Sequence, residues 1–132
     1  MAISKTIIKM NHVEALVKVV NDVASAGAIT IDLDVDLLKS NEELDGLAPT
    51  VNIGSLEFST AVTGEISIVR NSVVVNNAFE NTESFELAWG ADNQNNTFDI
   101  VVNMSAKGTV YMRLLKVQGY RPLFRPEQGV TP

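Results

Sequence analysis

FDIVVNMSAKGTVYMRLLKV, Phe98 to Val117, decides the fold class of this chain. It reads as two strands of about eight residues joined by the tight turn Ala106-Lys107-Gly108. Phe98, Ile100, Val102 and Met104 share one face of the first strand, with Asp99, Asn103 and Ser105 opposite. A side-chain period of two marks a half-buried strand. Gly108 is placed to supply the positive φ of a three-residue hairpin loop. Val110, Met112 and Leu114 continue an inward face beyond it, and the added apolar positions Leu115 and Val117 predict a central strand covered on both sides.

The flanking sequence repeats this pattern. Ile3 to Met10 predicts a first strand whose Lys5 and Lys9 suit a sheet edge. Val13 to Val20 fits a helix through Val13, Leu16, Val17 and Val20, or a strand through Val13, Ala15, Val17 and Val19; four valines in eight residues favour the strand. Asn21 to Gly27 reads as a hairpin loop. Ile29, Ile31, Leu33 and Val35 then alternate inward against Thr30, Asp32, Asp34 and Asp36. Ser40 to Glu43 has capping-box spacing, which predicts one helical turn through Leu44 before Asp45-Gly46. Inward parity flips across Gly54-Ser55, between Val51/Ile53 and Leu56/Phe58, as a bulge requires. Arg70-Asn71-Ser72 reads as a hairpin turn between Glu65–Val69 and Val73–Val75. Phe85, Leu87 and Trp89 alternate again, and an Asn-rich loop leads to Phe98. About eight short strands with frequent turns predict a single all-β antiparallel sandwich or barrel-like domain over residues 1–118. Pro122, Pro126 and Pro132 set residues 119–132 apart as an extended arm.

Composition excludes several function classes. A chain of 132 residues suits one domain, and 17 Val with 12 Asn favours strands and polar turns. A net charge of −6 argues against nucleic acid as a partner, since phosphate binding needs clustered Lys and Arg. The absence of cysteine removes disulfides, thiolate nucleophiles and Cys-type zinc sites. The opening MAISKTIIKMNHVE shows no signal-peptide pattern, and no apolar run reaches the ~18 residues of a membrane helix, so no membrane association is expected.

Few residues suggest chemistry. Asp32, Asp34, Asp36 and Glu43 follow calcium-loop spacing, but Leu37 stands where that loop needs glycine, so a solvated carboxylate face is expected instead of a metal site. His12 is the single histidine, and no G-x-S-x-G nucleophile motif accompanies it. Trp89 alternates with core positions and is expected to point inward. These features predict neither an enzyme nor a bound cofactor. Tyr120, Arg121, Leu123, Phe124 and Arg125 differ: they concentrate the residue types of protein interfaces in one non-periodic segment. They are the candidate partner-binding residues.

The segments KTIIK, EALVKV, AITIDLDVDLL, EISIVRNSVVV and NTFDIVVNMSAKGTVYMRLLKVQGY, within about residues 5 to 120, resemble small β-rich virion structural proteins of contractile-tailed phages of marine cyanobacteria. The resemblance implies a virion component on the capsid surface that decorates the head. Its expected partners are the major capsid protein or other virion subunits, including further copies of itself. It transfers no functional residue. A tail or neck component, and a carbohydrate- or host-binding sandwich, are the competing readings.

Overall fold

A computed structural model describes residues 3–11, 13–23, 25–40, 42–86 and 95–122, with the backbone alone at 61–63, 76–86 and 122. The described residues form nine strands: β1 (Ile3–Met10), β2 (Glu14–Asn21), β3 (Gly27–Ile31), β4 (Glu42–Leu44), β5 (Thr50–Arg70), β6 (Val73–Glu86), β7 (Ile100–Met104), β8 (Gly108–Gln118) and β9 (Tyr120–Pro122). All pairings are antiparallel, and the chain is an all-β sandwich.

The organising element is β5. Seven strands are linked in the order β1-β2-β8-β5-β7-β3, with β6 also on β5. A straight 21-residue strand would run about 70 Å at ~3.3 Å per residue, yet Arg70 Nη1 at its end lies 2.7 Å from the Val51 carbonyl at its start. β5 is therefore folded double. Its first part, Thr50 to Thr60, pairs with β8, and its last, Ile66 to Val69, pairs with β7. β6 follows β5 along both parts. The result is two facing layers joined over one end, here the arch end. Around the other end lie residues 11, 13, 32–40, 42–49, 70–73, 95–99 and 116–122.

This topology corrects the opening expectation. Phe98 to Val117 is not a hairpin, because β7 and β8 pair with different parts of β5 and not with each other. The segment 105–107 arches from one layer to the other, and the Ser105 amide donates to the Glu65 carbonyl of β5 at 2.9 Å. Gly108 adopts no positive φ. Glycine is needed there because a Cβ would lie 2.9 Å from the Ser59 carbonyl oxygen. Asn21 to Gly27 is likewise an arch and not a hairpin loop, since β2 lies between β1 and β8 whereas β3 pairs with β7. The Asn21 side chain ties the two arches by donating to the Ser25 and Ala106 carbonyls at 2.9 and 3.0 Å.

Local parity holds better than pairing. Ile100, Val102, Met104, Val110, Met112 and Leu114 are all buried in one core with Val17, Ile53 and Phe58. β8 is central, between β2 and β5, but its outer face is not covered: Val117 is 55% exposed. Phe98 precedes β7 and is 44% exposed, not inward. The expected strand over Val13 to Val20 resolves as β2 from Glu14 onward, while Val13 lies outside it and is exposed instead of inward. The parity flip at Gly54 is a bulge, with the β5–β8 register shifting between Ile53 and Ser55. Asn71 and Ser72 form the β5–β6 turn at φ 52° and 61°. β1 is an edge strand, and Lys5 Nζ reaches the Thr30 carbonyl of β3 at 2.7 Å, bridging the edges of the two layers.

Candidate docking site around the C-terminal strand

Strand β3 stops at Ile31, and Asp32 to Leu37 forms a turn in place of the expected strand. Val35 consequently points outward, 68% exposed. The aspartates do not form a ladder on one strand face. The Asp32 carboxylate caps the Asp34 amide at 2.9 Å, and Asp36 accepts from the Asp32 amide and from Lys5 Nζ at 2.8 and 2.5 Å. Their oxygens close a turn, as short Asx side chains do. Among the described residues no three His, Cys, Asp or Glu side chains converge as a metal-ligand set.

The expected helical turn through Leu44 is absent too. Glu42 to Leu44 extends as β4 because its backbone finds a partner: it pairs antiparallel with β9, Glu43 opposite Arg121 and Leu44 opposite Tyr120. Residues 120–122 thus belong to the folded body. The chain reaches them through Gly119, whose φ is 97° and where a Cβ would lie 2.5 Å from the Pro49 Cα. Only glycine fits that kink.

Tyr120 and Arg121 engage this chain itself. The Tyr120 hydroxyl donates to the Leu33 carbonyl at 2.7 Å, and its half-buried ring packs on the core. Arg121 Nε donates to the Glu43 carboxylate at 2.6 Å on the surface. Leu123, Phe124 and Arg125 lie outside the described residues, as do His12 and Trp89.

Beneath the Tyr120 ring, 4.4 Å from its centroid, sits the Lys116 ammonium. It donates to Glu42 Oε1 at 2.5 Å and to the Asn11 carbonyl at 3.1 Å. Both side chains of the Lys116–Glu42 pair have 0% exposure. Burial pulls Lys116 below the ordinary lysine value, and the bond and charge of Glu42 oppose that. The same carboxylate oxygen accepts the Lys39 amide at 2.9 Å, so Glu42 ties β8, β4 and the preceding loop together.

Arg70 is the second buried cation at this end, with 0% exposure. Its guanidinium donates to the carbonyls of Val51, Asn96 and Phe98 at 2.7–3.0 Å, fastening both ends of β5 and the segment before β7. Burial pushes its pKa down to about 10, opposed by Asp99 and Tyr120. The sequence reading passes over Lys116 and Arg70, although parity marks both. Lys116 continues the inward series Val110, Met112, Leu114, and Arg70 the series Ile66, Ile68. A cation on an inward face requires buried partners.

Tyr120→Phe tests the clasp that β4 and the Tyr120–Leu33 hydrogen bond form on β9. Burial raises the Tyr120 hydroxyl above the ordinary phenol value near 10, reinforced by Asp34 and Glu42. Below pH 10 the variant should be less stable by about 0.5–1.5 kcal/mol, the worth of one hydrogen bond. Above pH 10 the unfolded tyrosine ionises while the folded one does not, so wild-type stability from this group is lost as pH rises. Urea unfolding at pH 8 and pH 11 should show the gap closing. A gap independent of pH would place Tyr120 outside the clasp.

No protein-family profile matches the chain, and no curated protein matches it. Solved structures similar to it include an RmlC-like cupin from Shewanella frigidimarina, 12% identical, with a TM-score of 0.40 over 88% of this chain and 78% of that one. KdgF from Halomonas sp. is 8% identical, with a TM-score of 0.38 over 89% and 81%. The tobacco streak virus coat protein is 13% identical, with a TM-score of 0.36 over 95% and 99%. Cupins are a fold that often carries enzymes, so the expectation that this chain is not an enzyme is withdrawn. At these similarities the comparison assigns no activity.

Proposed function

We propose that this protein is a virion structural component that decorates the outer surface of a phage head through protein–protein contacts, with the major capsid protein as its principal partner. The observation that carries the reading is the clasp. β9 is held to the body by β4, by the Tyr120–Leu33 hydrogen bond and by the Arg121–Glu43 pair, so residues 123–132 start from a fixed point. A tether with a fixed base loses less freedom on docking than one that begins in a loose coil. That segment contributes Leu123, Phe124 and Arg125 as contacts, while Tyr120 and Arg121 hold its base. The body suits the role: a disulfide-free double-layered sandwich whose core runs through both sheets.

The test is the occupancy of purified phage particles. Quantitative mass spectrometry should find hundreds of copies per head; six or twelve would put the protein in the tail or neck instead. Truncation after Pro122 should leave the melting temperature within a few degrees of wild type and cut rebinding to stripped particles at least tenfold. Truncation after Gly119 should in addition destabilise the body, because it removes β9 and the Tyr120 contacts. Full rebinding by the Pro122-truncated form would remove residues 123–132 from the interface.

A further inference from the structure

Among the described residues, exposed large apolar side chains are distributed unevenly along the long axis of the sandwich. The arch end carries Ser25, Ser105 and Lys107 as exposed residues. At the opposite end Val13, Val35, Leu44, Leu47 and Val117 are all exposed. Each lies within two residues of a contact to the segment 116–120. The Val13 carbonyl accepts the Lys116 amide, and the Asp45 amide donates to the Gly119 carbonyl two residues before Leu47. Leu44 pairs with Tyr120, and Leu33, two residues before Val35, accepts the Tyr120 hydroxyl. The tip of the β5–β6 hairpin adds exposed Val73 and Val74 at the same end. Of the ten exposed large hydrophobics among the described residues, Phe98 joins these at the same end, whereas Ile8 and Tyr111 lie on the outer face of the β1-β2-β8 layer away from it.

The rim of this apolar end is acidic. Asp34 and Asp99 are exposed and Asp32 and Asp45 half-buried, and none of the four forms an ion pair among the described residues. Most cations of the same end are committed elsewhere: Lys116 and Arg70 are buried, and Arg121 pairs with Glu43, which leaves the half-buried Lys39 against four aspartates. Two copies meeting end to end would oppose like charges around the apolar centre, which disfavours self-association.

We infer that the end bearing β4 and β9 is a docking face for a different protein, one whose surface sets an apolar patch among Lys and Arg side chains. The inference rests on the virion reading, where that surface belongs to the capsid, and adds which end of the sandwich meets it. The described chain reaches Pro122 at this same end, so the face and the segment that follows Pro122 act on one partner. The apolar centre supplies affinity, and the acidic rim supplies orientation and encounter rate.

The experiment uses particles stripped of this protein and the full-length chain. Val35→Asp/Leu47→Asp should keep the wild-type melting temperature, since both residues are exposed, and lose at least tenfold in rebinding. Asp34→Lys/Asp45→Lys should weaken rebinding and flatten its salt dependence. Tyr111→Asp, on the outer sheet face, should rebind as wild type. If wild type rebinds and Val35→Asp/Leu47→Asp rebinds equally well, this end is not the docking face and the virion reading stands. If wild type itself does not rebind, the virion reading fails and the inference falls with it. Sedimentation of the free protein should give a monomer. A dimer abolished by Leu47→Asp would show the face to be covered by a second copy and overturn the inference.

Discussion

Lys116→Met should lower unfolding stability by about 3–5 kcal/mol, measured by denaturant titration at neutral pH. The Lys116–Glu42 pair is sealed under the Tyr120 ring, with both side chains fully buried. Removing the ammonium takes from the buried Glu42 carboxylate its bond to Lys116, and from the Asn11 carbonyl its lysine donor. The cost comes mainly from what the buried carboxylate loses with its lysine, because the pair's own attraction is largely offset by the desolvation of both ions. Replacing the two together, as Lys116→Met/Glu42→Leu, should therefore recover much of the loss. If the single variant stays within about 1 kcal/mol of wild type, the pair is not the anchor of this end.

Arg70→Met should cost on the order of 3–5 kcal/mol, because a hydrogen-bonding group left unsatisfied costs about 1–3 kcal/mol and the Val51 and Phe98 carbonyls lose this guanidinium, while Asn96 keeps the Val51 amide. Arg70→Lys should be nearly as damaging. One ammonium lacks the planar fork that reaches carbonyls on both ends of β5 at once. The loss should be local before it is global, with amide exchange accelerating first at the Val51 amide, which donates to the Asn96 carbonyl. Wild-type stability of Arg70→Lys would mean that charge alone, without the fork, closes β5 on itself.

The site was legible in the sequence only in part, because its contacts join residues far apart in the chain. Tyr120 and Arg121 stand out because they lie in a segment without periodicity, and both lie at the end of the molecule that we assign to docking. Their partners do not stand out. Leu33, Glu43 and Glu42 are 87, 78 and 74 residues from Tyr120, Arg121 and Lys116 in the chain. Nothing local marks a carboxylate as the mate of one particular cation.

What the sequence determines by itself is which residues face the core and where strands break. Alternation in Ile100 to Met104 and Val110 to Leu114, the parity flip at Gly54 and the left-handed turn at Asn71 are local: each follows from pleat geometry or from one residue's backbone preference. Tertiary structure alone decides which strands become neighbours. A strand, a short turn and a strand look the same in sequence whether they pair as a hairpin or arch between two layers, because a period of two specifies the buried face and is silent about the hydrogen-bonding edge. β7 and β8 are separated because the folded β5 offers each of them an edge, and Arg70 holds that fold closed. The same long-range pairing turns Glu42 to Leu44 from an expected helical turn into a strand: β9 arrives from 78 residues along the chain to satisfy its backbone, and residues that near neighbours would wind into a helix are extended by a partner their own segment does not contain.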